Sequence, residues 1–232
     1  MKPKPNQTAS DNTGITAEID DPESGAENKW SDGSGDSPIA HTVQFPVVCI
    51  GLSAGGIAPL QMLFRALNPN TGMAFVVIHH LRQEHPTLLP VILSSCTSMP
   101  VQLAKPYIAI QPNHVYVIPS GKEIILTDGA FAVHARSKLR GWANVVSVFL
   151  NSLTESRHGG IAVILSGMDA DGAQALKAFK QRGGIVIAQE PDTASSREMP
   201  SAAIKTGVVD YILEPEAIAG QLERIAGEPK SS

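Results

Sequence analysis

Five short, almost purely apolar runs recur along the chain, and they restrict the fold more than any other feature. They are Val47–Gly51, Met73–Ile78, Ile161–Leu165, Gly184–Ala188 and Val209–Leu213. A strand with one face in water alternates apolar and polar residues. A continuous apolar run is at home only where both faces are covered, which is the condition of a parallel sheet between helical layers. The segments between the runs have helical periodicity. Ile57, Leu60, Phe64 and Leu67 fall on one face, as do Val146, Phe149, Leu150 and Leu153, and later Leu176 and Phe179. Pro86–Ser95 is helix-like, with Pro86 suited to a first turn. Part of a short helix lies at Ser201–Lys205, and a closing helix runs from about Pro215 to Ile225. The expectation is an α/β domain: a doubly wound, mostly parallel sheet flanked by helices.

The middle of the chain breaks this rhythm. Val101–Ala104, Tyr107–Ile110, Val115–Ile118, Glu123–Thr127 and Ala130–Ala135 are short runs separated by turn residues. Asp128-Gly129 between the last two is a strong hairpin signal. A small antiparallel region inserted into the α/β pattern is therefore expected.

Residues 1–45 are of another kind. They carry eight acids against three lysines, a local net of −5, and have no apolar run. Such a segment cannot bury enough surface to offset its ordering entropy, so 1–45 reads as a disordered acidic tail ahead of a folded domain at 46–228. The whole chain has a formal charge of −4, which leaves about +1 for the remainder. A nearly neutral domain gives no electrostatic reason for a nucleic-acid partner. The N-terminus lacks the regions of a signal peptide. No apolar run approaches the ~18 residues of a membrane span, so membrane insertion is not expected. The two cysteines, Cys49 and Cys96, lie in apolar surroundings and read as buried thiols of a reducing, cytoplasmic compartment. The sequence specifies no oligomeric state.

In an open parallel sheet, ligands bind outside the carboxyl ends of the strands. Three distant segments meet that edge: Ser53 after the first run, His79 and His80 after the second, and Asp169 and Asp171 after Ile161–Leu165. A serine hydroxyl becomes nucleophilic when an imidazole takes its proton, and the imidazole needs a carboxylate on its other nitrogen. Gly51-Leu52-Ser53-Ala54-Gly55 fits the Gly-x-Ser-x-Gly turn that exposes such a serine between strand and helix. The backbone N–H groups of Ala54 and Gly55 are then candidates to hold the oxyanion. The order Ser, His, Asp differs from the Ser, Asp, His of ordinary α/β-hydrolases. Other readings stand beside this one. The turn could hold a phosphate, although the Gly-x-Gly-x-x-Gly spacing and a P-loop lysine are absent. His79, His80, Asp169 and Asp171 could bind a metal, although adjacent strand residues point to opposite sides. Asp169-Ala170-Asp171-Gly172 could simply cap the helix that begins near Gly172. His85, His114, His134 and His158 have no partner pattern and read as surface or loop residues.

Taken together, Ile50-Gly51-Leu52-Ser53-Ala54-Gly55-Gly56, Val77-Ile78-His79-His80-Leu81, Val115-Tyr116-Val117-Ile118-Pro119, Leu165-Ser166-Gly167-Met168-Asp169-Ala170-Asp171-Gly172-Ala173, Ala188-Gln189-Glu190 and Met199-Pro200 resemble the catalytic domain of the chemotaxis protein-glutamate methylesterases, over about residues 46–214. The resemblance implies a serine esterase that needs no metal or cofactor. It would remove methyl groups from glutamate side chains in the cytoplasmic domain of a chemoreceptor-like protein, and many members also deamidate glutamines. It implies Ser53 as nucleophile, His80 rather than His79 as base, Asp171 rather than Asp169 as its partner, and Met168 as a contributor to the oxyanion region. Three departures qualify it. Forty-five polar residues cannot be the receiver domain that usually precedes this domain, so a stand-alone catalytic domain is expected. Arg140-Gly141-Trp142-Ala143-Asn144-Val145 replaces a family His-Arg-Pro-Ser-Val-Asp stretch at a helix start expected to border the cleft. Asp169 replaces a more usual glycine, and a second carboxylate there could raise the pKa of Asp171 or His80. The competing expectation is a catalytically weak interaction module of the same fold.

Overall fold

Strand β1 (Val47–Leu52) is buried along its whole length. Its side chains alternate between two separate cores: Val47 and Cys49 enter one, Val48, Ile50 and Leu52 the other. The computed structural model describes residues 45–80, 87–136, 144–156 and 158–227. Around β1 lie β2 (Ala74–His79), β3 (Val101–Leu103), β4 (His114–Val117), β7 (Gly160–Ile164), β8 (Ile185–Gln189) and β9 (Tyr211–Leu213), while β5 (Lys122–Thr127) and β6 (Ala130–Ala135) form a separate antiparallel pair. The seven-stranded sheet has the order β3-β4-β2-β1-β7-β8-β9, and every pairing in it is parallel.

Helices α1 (Ile57–Ala66), α2 (Leu89–Ser94) and α6 (Pro215–Gly227) bury Leu60, Leu63, Leu93 and Leu222 in one core. Helices α3 (Val145–Glu155), α4 (Ala173–Gln181) and α5 (Glu198–Lys205) bury Phe149, Phe179 and Met199 in the other. Each such fully buried side chain contributes roughly 1.5–3 kcal/mol of burial free energy. The doubly wound α/β expectation therefore holds. Cys49 and Cys96 are both buried and free.

The middle region corrects the sequence reading. Val101–Leu103 and His114–Val117 extend the parallel sheet instead of belonging to an antiparallel insert. Tyr107–Ile110 is not a strand, but it lies antiparallel beside β6, through the bridge Ala109 to Ala130 and backbone hydrogen bonds from the Tyr107 N–H to the Phe131 carbonyl and from the Phe131 N–H to the Ile108 carbonyl. Only β5 and β6 form the hairpin, with Asp128 and Gly129 at positive φ in its turn. The Leu126 backbone N–H donates to Ser152 Oγ at 3.0 Å, which docks the hairpin on α3. Short strands bounded by turn residues look alike whichever way they pair, and only the crossovers distinguish them. The second helix begins at Leu89, with Pro90 rather than Pro86 in its first turn; Pro86 lies outside the described residues. The expectation for 1–45 also lies outside them, except at Phe45. Phe45 packs on the core, its carbonyl lies 3.1 Å from Nδ1 of His158, and the two rings are 5.0 Å apart. His158 lies in the loop between α3 and β7, as expected, and is half-buried against Phe45.

Candidate active site

The β1/β2 register sets the site. Leu52 pairs with His79, the last residues of their strands, and the His80 N–H continues the ladder to the Leu52 carbonyl at 3.4 Å. Ser53 and His80 are therefore the next residues on neighbouring strands, where strand spacing is about 4.8 Å. Alternation turns both toward the face covered by α3, the side of Cys49 and Ile78. His79 follows Val77 toward the opposite core, on the side of α1.

The chain must turn from strand to helix between Leu52 and Ile57, and Gly55 does so at φ +73°. A Cβ there would lie 2.6 Å from Cβ of Ser195, and one on Gly56 would lie 2.7 Å from Cβ of Leu52. Gly55 is required by space as well as by dihedral, and Gly56, at φ −79°, by space alone. The Ser53 N–H donates to the Ser166 carbonyl at 2.9 Å. Ser166 Oγ lies 2.9 Å from the Ala54 carbonyl and accepts the Ser196 N–H at 2.9 Å, and the Ser166 N–H donates to Oε1 of Gln189 at 2.9 Å. The turn is thereby tied to the end of β7 and to the segment after β8. A pocket of about 390 Å³ opens between Ser53, Ala54, Gly55, His79 and Ser195.

Asp171 is held more tightly than any other acid of the site. Its Oδ2 accepts the Val146 N–H at 2.8 Å, and its Oδ1 accepts the Ser147 N–H at 3.0 Å and the Ser147 hydroxyl at 2.7 Å. With Asn144 at the N-cap of α3 making no side-chain cap, Val146 and Ser147 supply the second and third N–H groups that a cap normally satisfies. Asp171 caps α3 from another part of the chain. The capping alternative was thus right in kind but named the wrong helix, since α4 starts after Gly172 with no side-chain cap. Gly51 lies directly under α3, where a Cβ would meet Cγ1 of Val146 at 2.8 Å, so the start of this helix sits over the end of β1.

His80 lies between two carboxylates. Its Nε2 is 2.7 Å from Oδ2 of Asp171, and its Nδ1 is 2.7 Å from Oδ2 of Asp169. Burial opposes a charge on this ring, but hydrogen bonds and charges from Asp169 and Asp171 outweigh it and raise its pKa to about 9. Burial likewise works against the Asp171 carboxylate, yet His80 and the donors of α3 hold its pKa below the ordinary carboxylate value. His79 goes the other way: burial, then the neighbouring His80 charge, lower it to about 4 against a hydrogen bond to the Ser53 backbone. It is a neutral ring. Burial, reinforced by Asp171, pushes the Cys49 thiol far up, so it stays protonated.

The structure brings Ser53, His80, Asp171, Ala54 and Gly55 to one edge. Met168 is on the turn after β7, 59% exposed, and does not line the pocket. His79 and His80 face opposite sides, and among the described residues no group of three His, Cys, Asp or Glu side chains is arranged to hold a metal ion. Of 140–145, only Asn144 and Val145 are described, at the start of α3. Ser147 and Ser195 had no local sequence signal. Ser166 and Gln189 lie in segments that carry the family resemblance but had no assigned role.

A sequence model described as CheB methylesterase matches residues 48–222. The chain belongs to the CheB methylesterase family. It is 34% identical over 181 residues to a protein-glutamate methylesterase/protein-glutamine glutaminase of Pseudomonas savastanoi pv. phaseolicola, covering 77% of this chain and 54% of that protein. It is 32% identical over 204 residues to one from Pseudomonas putida, covering 83% and 60%. The chain thus spans about half the length of the curated relatives it matches. The crystal structure of the Thermotoga maritima CheB methylesterase catalytic domain superposes with a TM-score of 0.74 at 29% identity, over 79% of this chain and all of that one. Fold and family expectations agree with these matches.

Proposed function

We propose that this chain is a serine hydrolase that demethylates glutamate methyl esters, and deamidates glutamines, in the cytoplasmic domain of chemoreceptor-type proteins. The observation that carries the reading is the Asp171–His80 contact at 2.7 Å, placed one register step from Ser53. With Nε2 held by Asp171, Nδ1, which Asp169 contacts in this structure, is the nitrogen that would serve the serine. The Ser53 hydroxyl gives its proton to Nδ1 as Oγ bonds to the ester carbonyl carbon. The N–H groups of Ala54 and Gly55, at the start of α1, are the donors for the resulting oxyanion. Collapse breaks the bond to the methoxy oxygen, which leaves as methanol with the proton from His80. Water repeats the sequence on the acyl-enzyme, frees the glutamate carboxylate and restores Ser53. A glutamine follows the same course and releases ammonia.

The alcohol and acid products require no metal or redox cofactor. The proposed compartment is the cytoplasm, and among the described residues no helix is long and apolar enough to cross a membrane. The test is methanol release from a methylated receptor fragment. Turnover that survives Ser53→Ala would reject the mechanism.

One observation favours the second reading, a weakly active interaction module: Asp169 occupies Nδ1 of His80. Labelling of Ser53 by an active-site serine reagent separates the two, since a folded protein that resists labelling fits the module.

A further inference from the structure

Nδ1 of His80 has to be available to Ser53 if the hydrolase reading holds, and in this structure Asp169 is bound there. For both 2.7 Å contacts to be hydrogen bonds to carboxylates, the ring must donate from both nitrogens. An imidazole that carries both protons cannot accept a third, so this arrangement is incompatible with general-base action.

The two carboxylates are not equally fixed. Asp171 is held by the Val146 and Ser147 N–H groups, the Ser147 hydroxyl and the N–H of Gly172 in addition to His80. Asp169 is held through Nδ1 of His80 and through the Asp171 N–H, which donates to its Oδ1 at 2.8 Å. Both of Asp169's chain neighbours, Met168 and Ala170, are exposed. The Asp169 carboxylate is itself covered, 8% exposed, but moving it gives up only the contacts to His80 and to the Asp171 N–H, whereas moving Asp171 would uncap α3.

We propose that Asp169 is a positioning residue that occupies the serine's place at Nδ1 of His80 in the resting enzyme and must swing off before Ser53 can be deprotonated. The proposal rests on the serine-hydrolase reading of the site. Asp171 is the permanent partner of the ring and Asp169 the displaceable one. Departure of Asp169 leaves His80 with one carboxylate, lowers its proton affinity and lets it lose the Nδ1 proton to solvent, so that it can then accept the proton of Ser53. The raised proton affinity of His80 agrees with this arrangement. Among the described residues, the other titratable groups coupled to the His80–Asp pair are His79, which is neutral, and Cys49, which is protonated.

The test uses the full chain and the Asp169→Asn variant, which keeps an oxygen for the Asp171 N–H. The His80 ring is titrated by NMR, and hydrolysis of p-nitrophenyl acetate is followed against pH. Loss of one adjacent carboxylate should lower the His80 midpoint by about one to two pH units and move the rising limb of the rate profile down by a similar amount. Equal thermal midpoints at pH 10, where the His80 proton no longer contributes to stability in either protein, would exclude a merely structural effect. An unchanged His80 midpoint overturns the proposal, whatever the activity. A lowered midpoint with no Ser53-dependent turnover in either protein upholds the clamp and rejects the hydrolase reading instead. Asp169→Gly gives a second variant with the same expected direction.

Discussion

His79 and His80 are consecutive in the chain, face opposite sides of the sheet, and have proton affinities displaced in opposite directions, to about 4 and about 9. One ring borders the pocket beside Ser53, and the other lies between two carboxylates. The reaction can use them only in different ways. Ser53→Ala and His80→Ala should each lower methanol release about a thousandfold or more. His79→Ala should be milder, because its ring borders the pocket without holding Asp171. Rates for the three variants decide this, and the reverse ranking of the histidines would overturn the choice between them.

The same pair gives the stability a two-sided pH dependence. The folded pKa of His80 is above its ordinary 6.5, so its contribution is fully present below pH 6.5 and is lost as pH rises through about 9. Its size is on the order of 3 kcal/mol. His79 is lowered, so its contribution is present above pH 6.5 and is lost as pH falls through about 4. Urea unfolding from pH 4 to 10 should therefore show stability falling on both sides of neutrality. His79→Leu should flatten the acid side and leave the alkaline side in place.

Ser147→Ala tests the support of Asp171. The substitution removes a hydroxyl that donates to Oδ1 of Asp171 at 2.7 Å and accepts the Gly172 N–H at 2.9 Å. A hydrogen bond to a buried charged group is worth about 1.5–3 kcal/mol, so urea unfolding should show a loss of that order. Turnover should fall less than in His80→Ala, since both α3 N–H groups still hold the carboxylate.

Gly55→Ala should damage the nucleophile turn. The position needs φ +73°, and a Cβ there would press on Cβ of Ser195 at 2.6 Å. The left-handed backbone costs about 1–2 kcal/mol for an L-residue. The Ser195 contact also forces the wall of the pocket outward. A lowered thermal midpoint together with lost Ser53 labelling is the expected outcome, and normal labelling would count against the turn as described.

The parallel sheet was legible because doubly covered strands must be apolar, and β1, β2, β7 and β8 are so up to the closing His79 of β2 and Gln189 of β8. Their carboxyl ends then placed Ser53, His80 and Asp171 on one edge. The pairing of β3 and β4 was not legible. Strands of three and four residues carry too short a pattern to reveal parallel from antiparallel neighbours. The choice of His80 over His79 came from the family segments, and the β1/β2 register gives it a physical basis. Asp169 was marked as a second carboxylate, but its place on Nδ1 depends on how a turn folds back over 89 residues of sequence separation. The cap that Asp171 provides to α3 has the same origin: its donors lie 24 and 25 residues earlier.

That cap bears on how inactive descendants of such a chain would look. Ser53 could be lost with little harm to folding, because its N–H rather than its hydroxyl ties the turn to Ser166. Asp171 could not be lost so freely, since the first turn of α3 would lose its acceptor. A relative that has given up catalysis would therefore keep the aspartate long after the serine had drifted, and the acid by itself is a mark of architecture rather than of activity.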